Sequence, residues 1–248
     1  MKVSIITSVY SNREMIAEAI ESVLSQTYDD IEYIIVDGGS TDGTVEIIRK
    51  YEDKITTFVS EPDKGIYDGL NKGIGLATGD IVGFLHSDDL YENAEVIAKV
   101  VQLFESGGCD SLYGDLVYVN KEDTSKVFRH WKSGEFTPLK LKRGWMPPHP
   151  TFFVKREVYE RYGVFDLNFR IAADYDFMLR VLGKHGISTC YLPVVLYKMR
   201  VGGESNKSVR NIMRKSKEDL KALKNNKVGG ASTLLMKNLS KIPQFFTK

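Results

Sequence analysis

The feature that most constrains this chain is an alternation of two patterns over residues 1–105. Short apolar runs suited to strands covered on both faces each give way to segments whose apolar residues recur at helical spacing. Lys2 to Val9 reads as a first strand. Met15, Ile16, Ala19, Ile20, Val23 and Leu24 then mark a helix, opened by the capping-box pattern Ser11-Asn12-Arg13-Glu14. Tyr33-Ile34-Ile35-Val36 lies inside a second strand, Glu32 to Asp37, and Val45, Ile48 and Tyr51 face inward from the next helix. A short strand at Ile55 to Val59, a helix with Leu70, Ile74 and Ala77, and the strand Ile81 to Leu85 follow. The helix containing Val96, Ile97, Val100, Val101 and Phe104 closes the series. Alternating β and α elements predict an α/β fold with a mainly parallel sheet flanked by helices, whose ligands bind beyond the carboxyl ends of the strands.

The later half is less regular. Leu112 to Val119 and Cys190 to Leu196 read as strands, Glu157 to Tyr162 and Asp174 to Leu182 as helices. The prolines of Trp145-Met146-Pro147-Pro148-His149-Pro150 require an extended loop. The expected division is a domain at 1–200, made of halves 1–105 and 106–200, followed by a basic helical appendage at 201–248.

Composition excludes several classes. With 42% hydrophobic and 27% charged residues the chain has the makeup of a globular protein and not of a disordered or collagenous one. Cys109 and Cys190 form neither a C-x-x-C pair nor metal-ligand spacing, which points to a reducing compartment. Charges interrupt every hydrophobic run, and the N-terminus lacks a secretory pattern, so the expected location is cytoplasmic. Charge is segregated along the chain. From Lys198 onward there are 13 Lys and Arg against 3 Asp and Glu, whereas the preceding residues hold 21 and 30. Val209, Ile212, Met213, Leu220 and Leu223 make an apolar stripe among these cations, and Leu234, Leu235, Leu239, Ile242, Phe245 and Phe246 extend it. Such a tail suits the anionic inner face of a membrane, and packing on the acidic body or on another subunit is the alternative. Nucleic acid is not an expected partner, because aromatic residues are not interleaved with the cations.

Three acidic groups fall where strands end or loops begin: Asp37, the pair Asp88-Asp89, and Asp174 with Asp176. Adjacent carboxylates after a buried strand repel each other and suit a divalent cation, Mg²⁺ or Mn²⁺, although the pair also suits a helix cap. Asp37 before Gly38-Gly39 fits a contact to a nucleotide or a turn that satisfies its own backbone. Asp174 at a helix start fits a general base or an ordinary N-cap.

Together these segments resemble glycosyltransferase family two, the inverting nucleotide-sugar transferases of the GT-A fold. The likeness runs from about Lys2 to Arg200. Val3-Ser4-Ile5-Ile6-Thr7-Ser8-Val9-Tyr10 is similar to the family's first strand and nucleotide edge, and Ile34-Ile35-Val36-Asp37-Gly38-Gly39-Ser40-Thr41-Asp42-Gly43-Thr44 to its base-binding loop. Glu61-Pro62-Asp63-Lys64-Gly65-Ile66-Tyr67-Asp68, Asn71-Lys72-Gly73 and Ser87-Asp88-Asp89 continue the resemblance, the last as a D-x-D-like metal motif. Pro148-His149-Pro150-Thr151-Phe152-Phe153 and Ile171-Ala172-Ala173-Asp174-Tyr175-Asp176 resemble the acceptor half of members that build bacterial surface polysaccharides.

The resemblance implies transfer of a sugar from a nucleotide-diphosphate donor, most often a UDP-sugar, to a hydroxyl of a glycan or lipid-linked oligosaccharide. Asp174 would be the catalytic base. Thr7, Val9, Tyr10, Asp37, Asp63, Lys64, Gly65, Asn71 and Asp88 would line the donor nucleotide. Asp89 with Asp88 would hold Mn²⁺ or Mg²⁺, and His86, His149 and Arg200 are candidates for acceptor or diphosphate contacts. The sequence departs from the pattern twice: His86 stands at the first acidic position of D-x-D, and Ala173 at the acidic position before Asp174. A catalytically silent regulator that binds nucleotide sugars is the alternative from another class, and retention of both base and metal acids favours an enzyme.

Overall fold

The computed structural model describes residues 1–202 and 209–239, with residues 209 and 210 described for the backbone alone. The first half follows the β/α alternation: β1 (Val3–Val9), α1 (Ile16–Leu24), β2 (Ile31–Asp37), α2 (Thr44–Ile48), β3 (Thr57–Ser60), α3 (Ile66–Leu76), β4 (Ile81–Phe84), β5 (Leu90–Tyr91) and α4 (Val96–Gly107). The second half contains β6 (Ser111–Val119), β7 (Val127–Trp131), α5 (Pro138–Lys142), β8 (Phe153–Lys155), α6 (Arg156–Tyr162), α7 (Ala173–Met178), β9 (Thr189–Arg200), α8 (Val209–Asn225) and α9 (Ala231–Leu239).

One sheet joins the two halves in the order β3-β2-β1-β4-β8-β6-β9-β5, with β7 paired to β6. Strands β3, β2, β1 and β4 are parallel. Antiparallel β8 links β4 to β6, and β9 returns parallel to β6. The short β8, with two register pairs on each side, is the seam between the nucleotide-type half and the second half.

Side-chain alternation along the strands divides the core into two layers. Ile6, Ile34, Val36, Val82 and Phe84 pack on the face covered by α3 and α7, while Ile5, Tyr33, Ile35, Ile81 and Leu85 pack on the face covered by α1 and α4. Helix α3 lies close on β1 because two of its glycines, Gly69 and Gly73, face that strand. A Cβ at Gly69 would stand 2.3 Å from Ser8 Oγ, and one at Gly73 would stand 2.3 Å from Ile6 Cγ2.

Two local expectations are corrected. The capping-box segment does not open a helix: Ser11 takes φ 49°, and α1 starts at Ile16 with no side-chain cap. The main-chain N–H groups of Ser11, Asn12 and Arg13 donate instead to Ser40 Oγ, Thr44 Oγ1 and Asp42 Oδ2, so the segment is tied to the glycine-rich loop after β2. The last strand is longer than its apolar run, because pairing with β6 carries it on to Arg200.

The appendage is packed on the body. Helix α8 buries Asp219, Ala222 and Leu223 on one side, Asn226 just beyond its end is buried too, and Ala222 and Leu223 join the core layer that includes α7. The expected apolar residues Ile242, Phe245 and Phe246 lie outside the described residues.

Candidate active site

The carboxyl ends of β1, β2 and β4 lie side by side, where parallel sheets of this kind open a crevice. Beyond β1, Val9 is buried and Tyr10 stands 67% exposed. Beyond β2, Asp37 is fully buried. Its Oδ2 accepts the N–H groups of Gly39 and Ser40 and the hydroxyl of Ser60, and Oδ1 accepts the hydroxyl of Ser40. Asp37 thus builds the loop at the crevice, and its oxygens already have partners within that loop. Asp63 approaches from the other side: it accepts the N–H of Gly65 at 2.8 Å, and its carboxylate leaves no room for a Cβ at Gly38. Lys64 is exposed, and its N–H donates to Asp68 at the start of α3.

Two expected donor-nucleotide residues, Thr7 and Asn71, and one expected acceptor or diphosphate contact, Arg200, make contacts within the protein. The Thr7 hydroxyl donates to the Leu85 carbonyl at 2.8 Å and is wholly buried. Asn71 holds the backbone of Phe165 with both ends of its amide, at 2.8 and 3.0 Å, and so ties α3 to the second half of the molecule. Arg200 is 4% exposed, and its guanidinium donates to the carbonyls of Lys121 and Asp88 and pairs with Glu18. Each is turned inward by a partner that local sequence does not reveal.

The acidic pair beyond β4 is split by its surroundings. Asp89 is 2% exposed, accepts the main-chain N–H of Arg200 at 2.8 Å, and accepts a hydrogen bond from the Tyr197 hydroxyl. Burial, and then the charge of Asp88, push its carboxyl well above the usual carboxylate range. Asp88 is half-buried, and its carboxylate takes no hydrogen bond among the described residues. Helix α4 begins seven residues after Asp89 with Glu95 at its N-cap, so the pair does not cap it.

Asp174 occupies the second position of α7, facing the same region. Its Oδ1 accepts the N–H of Tyr175 at 2.8 Å and lies 3.1 Å from the Tyr67 hydroxyl, while Oδ2 takes no bond among the described residues. Tyr67 belongs to the Glu61–Asp68 motif, which by itself assigns it no role. Its ring packs on Phe165 and its hydroxyl also donates to the Ile171 carbonyl at 2.8 Å, a long-range contact with no local signature.

Between the two carboxylates stand His86 and His149, their ring centroids 6.1 Å apart. Burial lowers the pKa of His86, against the opposing charges of Asp88 and Asp174, and burial lowers that of His149 to about 4. His149 is stacked on Phe84 and edge-on to Phe165. His86 Nδ1 and His149 Nε2 are buried without a partner among the described residues. Both rings are neutral near pH 7 and offer hydrogen-bonding atoms to a bound molecule.

Among the described residues no group of three or more His, Cys, Asp or Glu side chains could by itself hold a metal ion. Asp88 with a free carboxylate, and His86 two residues away with an orphaned Nδ1, fit a cation whose remaining ligands come from a substrate diphosphate, as Mg²⁺ sites commonly do.

The mainly parallel sheet flanked by helices is GT-A-like, and solved structures share the fold. The chain is similar to S. aureus TarS residues 1–349, solved in complex with UDP-GlcNAc, with a TM-score of 0.74 and 21% identity, covering 91% of this chain and 65% of that one. It thus spans just under two thirds of that TarS chain. It is also similar to the mannosyltransferase PcManGT from Pyrobaculum calidifontis, solved in complex with GDP-Man and Mn²⁺, with a TM-score of 0.69 and 19% identity over 97% of this chain and 70% of that one. The family is shown by sequence. Residues 4–163 match Glycosyl transferase family 2, and the chain belongs to it. It is 31% identical over 208 residues to the PGL/p-HBAD biosynthesis glycosyltransferase of Mycobacterium bovis (strain BCG / Pasteur 1173P2), covering 82% of this chain and 78% of that protein. The protein is therefore a glycosyltransferase.

Proposed function

We propose that this chain is an inverting transferase that moves a hexosyl or N-acetylhexosaminyl group from a UDP-sugar to a hydroxyl of a glycan or lipid-linked oligosaccharide in bacterial surface polysaccharide synthesis. The observation that carries the reading is the pairing of two carboxylates, Asp88 and Asp174, that both act on His86 and both keep free oxygens. Asp174 Oδ2 takes the proton of the acceptor hydroxyl as that oxygen attacks the anomeric carbon. Tyr67, whose one hydroxyl hydrogen is shared between the Ile171 carbonyl at 2.8 Å and Oδ1 at 3.1 Å, holds the carboxylate from its Oδ1 side. One displacement needs one base, so the configuration inverts and no carboxylate nucleophile is required.

The nucleotide lies over Val9, Tyr10 and the loop shaped by Asp37, with Asp63, Lys64 and Gly65 along its edge. TarS binding UDP-GlcNAc and PcManGT binding GDP-Man support a nucleoside diphosphate at this place. Asp88, assisted by His86, would hold Mn²⁺ or Mg²⁺, with Asp89 supporting the turn from behind. When bound, the cation supplies electrostatic stabilisation of the departing diphosphate.

A peripheral position on the inner face of a membrane is supported by the outer side of α8 and α9. Met213, Leu235, Met236 and Leu239 are exposed there with Lys217 and Lys224. Asp219 is buried and Glu218 is turned to the body. No helix among the described residues is long and apolar enough to cross a membrane.

The test is release of nucleoside diphosphate from UDP-, GDP- and dTDP-sugars, with Mn²⁺ or Mg²⁺ and with chelator. Release from a UDP-sugar that chelator abolishes is the expected result. Binding of donor with no turnover in the presence of acceptor glycans would favour the regulator.

A further inference from the structure

We infer that the C-terminal pair α8–α9 is part of the transfer machinery, with Glu218 as the positioning residue that fixes the segment carrying Asp174. The inference rests on the reading of Asp174 as the base.

Helix α7 begins at Ala173, and its N-cap residue, Ala172, has no side chain able to cap it. The N–H groups of Ile171 and Ala172, which precede the first helical turn, have no intrahelical acceptor and need one from elsewhere. A single oxygen, Glu218 Oε2, accepts both the Ile171 N–H at 2.8 Å and the Ala172 N–H at 3.0 Å, across 47 and 46 residues of sequence. The carbonyl of Ile171 is held from the other side by the Tyr67 hydroxyl. Residue 171 is thus clamped at its N–H by α8 and at its C=O by α3.

Beyond Asp174 the same helical pair takes hold again. Asn226 Nδ2 donates to Asp176 Oδ1 at 2.8 Å, with both residues buried. Lys237 Nζ lies 3.1 Å from the centroid of the Tyr175 ring and 2.9 Å from Asp219 Oδ2, an ion pair in which each side chain is 4% exposed. Residues 171, 172, 175 and 176 are each held by α8, by α9 or by Asn226 in the turn between them, and among the described residues Asp174 Oδ2 takes no hydrogen bond. That distribution fixes the base without occupying its free oxygen. It is what positioning requires, because a base displaced by about 1 Å loses on the order of 100-fold in rate.

The test uses the full chain and compares Glu218→Ala with Glu218→Gln, reading kcat for diphosphate release, donor Kd by calorimetry, and hydrogen exchange at Ile171 and Ala172. Because one oxygen takes both N–H groups, the amide oxygen of Gln can replace it. Expected for Glu218→Ala are faster exchange at those two amides and a fall in kcat of about tenfold or more, with donor Kd within about twofold of wild type. Glu218→Gln should keep kcat within about threefold. Wild-type kcat in Glu218→Ala despite faster exchange would overturn the inference, as would equal losses in kcat and donor affinity. Should Glu218→Ala not fold, Glu218→Asp, one methylene shorter, is judged by the same criteria. Asp174→Asn, measured in parallel, separates the two claims: if it retains wild-type kcat, the reading of the base fails whatever Glu218 does.

Discussion

The main-chain N–H of Arg200, the last residue of β9, donates to Oδ1 of Asp89 at 2.8 Å across 111 residues of sequence. This bond gives two adjacent acids different work. Asp89 joins the acidic turn to the far strand, and Asp88 is left facing the crevice.

The first prediction follows from that split. Asp88→Ala should abolish cation-stimulated diphosphate release while changing stability by no more than about 0.5 kcal/mol. Asp89→Ala leaves the Arg200 N–H and the Tyr197 hydroxyl without their acceptor and should cost about 1–3 kcal/mol in denaturant unfolding. Equal activity losses with equal stabilities would erase the distinction.

Asp174→Asn keeps the shape of the side chain and removes its basicity. Transfer should fall by roughly 10²- to 10⁴-fold while donor affinity holds, measured as kcat against calorimetric Kd. Tyr67→Phe removes a bond to Oδ1 and should lower kcat by less, about tenfold.

His149 gives a pH signature. Burial lowers its folded pKa to about 4 from 6.5, so the unfolded chain binds a proton first as pH falls. Its stabilising effect is complete above pH 6.5 and is lost as pH falls toward 4, a loss of roughly 3 kcal/mol. His149→Phe, which preserves packing on Phe84 and Phe165, should flatten unfolding free energy between those pH values. An unchanged slope would show that the ring is not buried neutral.

Glu32 acts in a lower window. Burial would raise its carboxyl, but hydrogen bonds from Ser4, Thr78 and Lys2 outweigh burial and lower it to about 2. The contribution is present above the unfolded value of 4.5 and is lost as pH falls through 2, so Glu32→Gln should cost roughly 3 kcal/mol at pH 7 and little at pH 2. Urea unfolding at the two pH values checks this.

The outer face of the helical pair predicts binding to vesicles rich in anionic lipid. Both Met213 and Leu235 are exposed, so the double change Met213→Glu, Leu235→Glu should leave thermal unfolding unchanged and abolish flotation with such vesicles. Flotation equal to wild type would remove this face as the anchor.

The sequence by itself determined the β/α alternation of the first half, the parallel strands and the acidic or glycine-rich segments at their ends. Those follow from periodicities of 2 and 3.6 residues and from turn chemistry, which are local. The tertiary structure decided what each polar side chain does. Thr7, Asn71 and Arg200 turn inward because their partners, Leu85, Phe165 and Asp88, arrive from 78, 94 and 112 residues away. The role of Tyr67 at Asp174 and that of Glu218 at Ile171 were hidden for the same reason, across 107 and 47 residues. A side chain's register on an element is written locally, whereas its partner is chosen by the packing of elements distant in sequence.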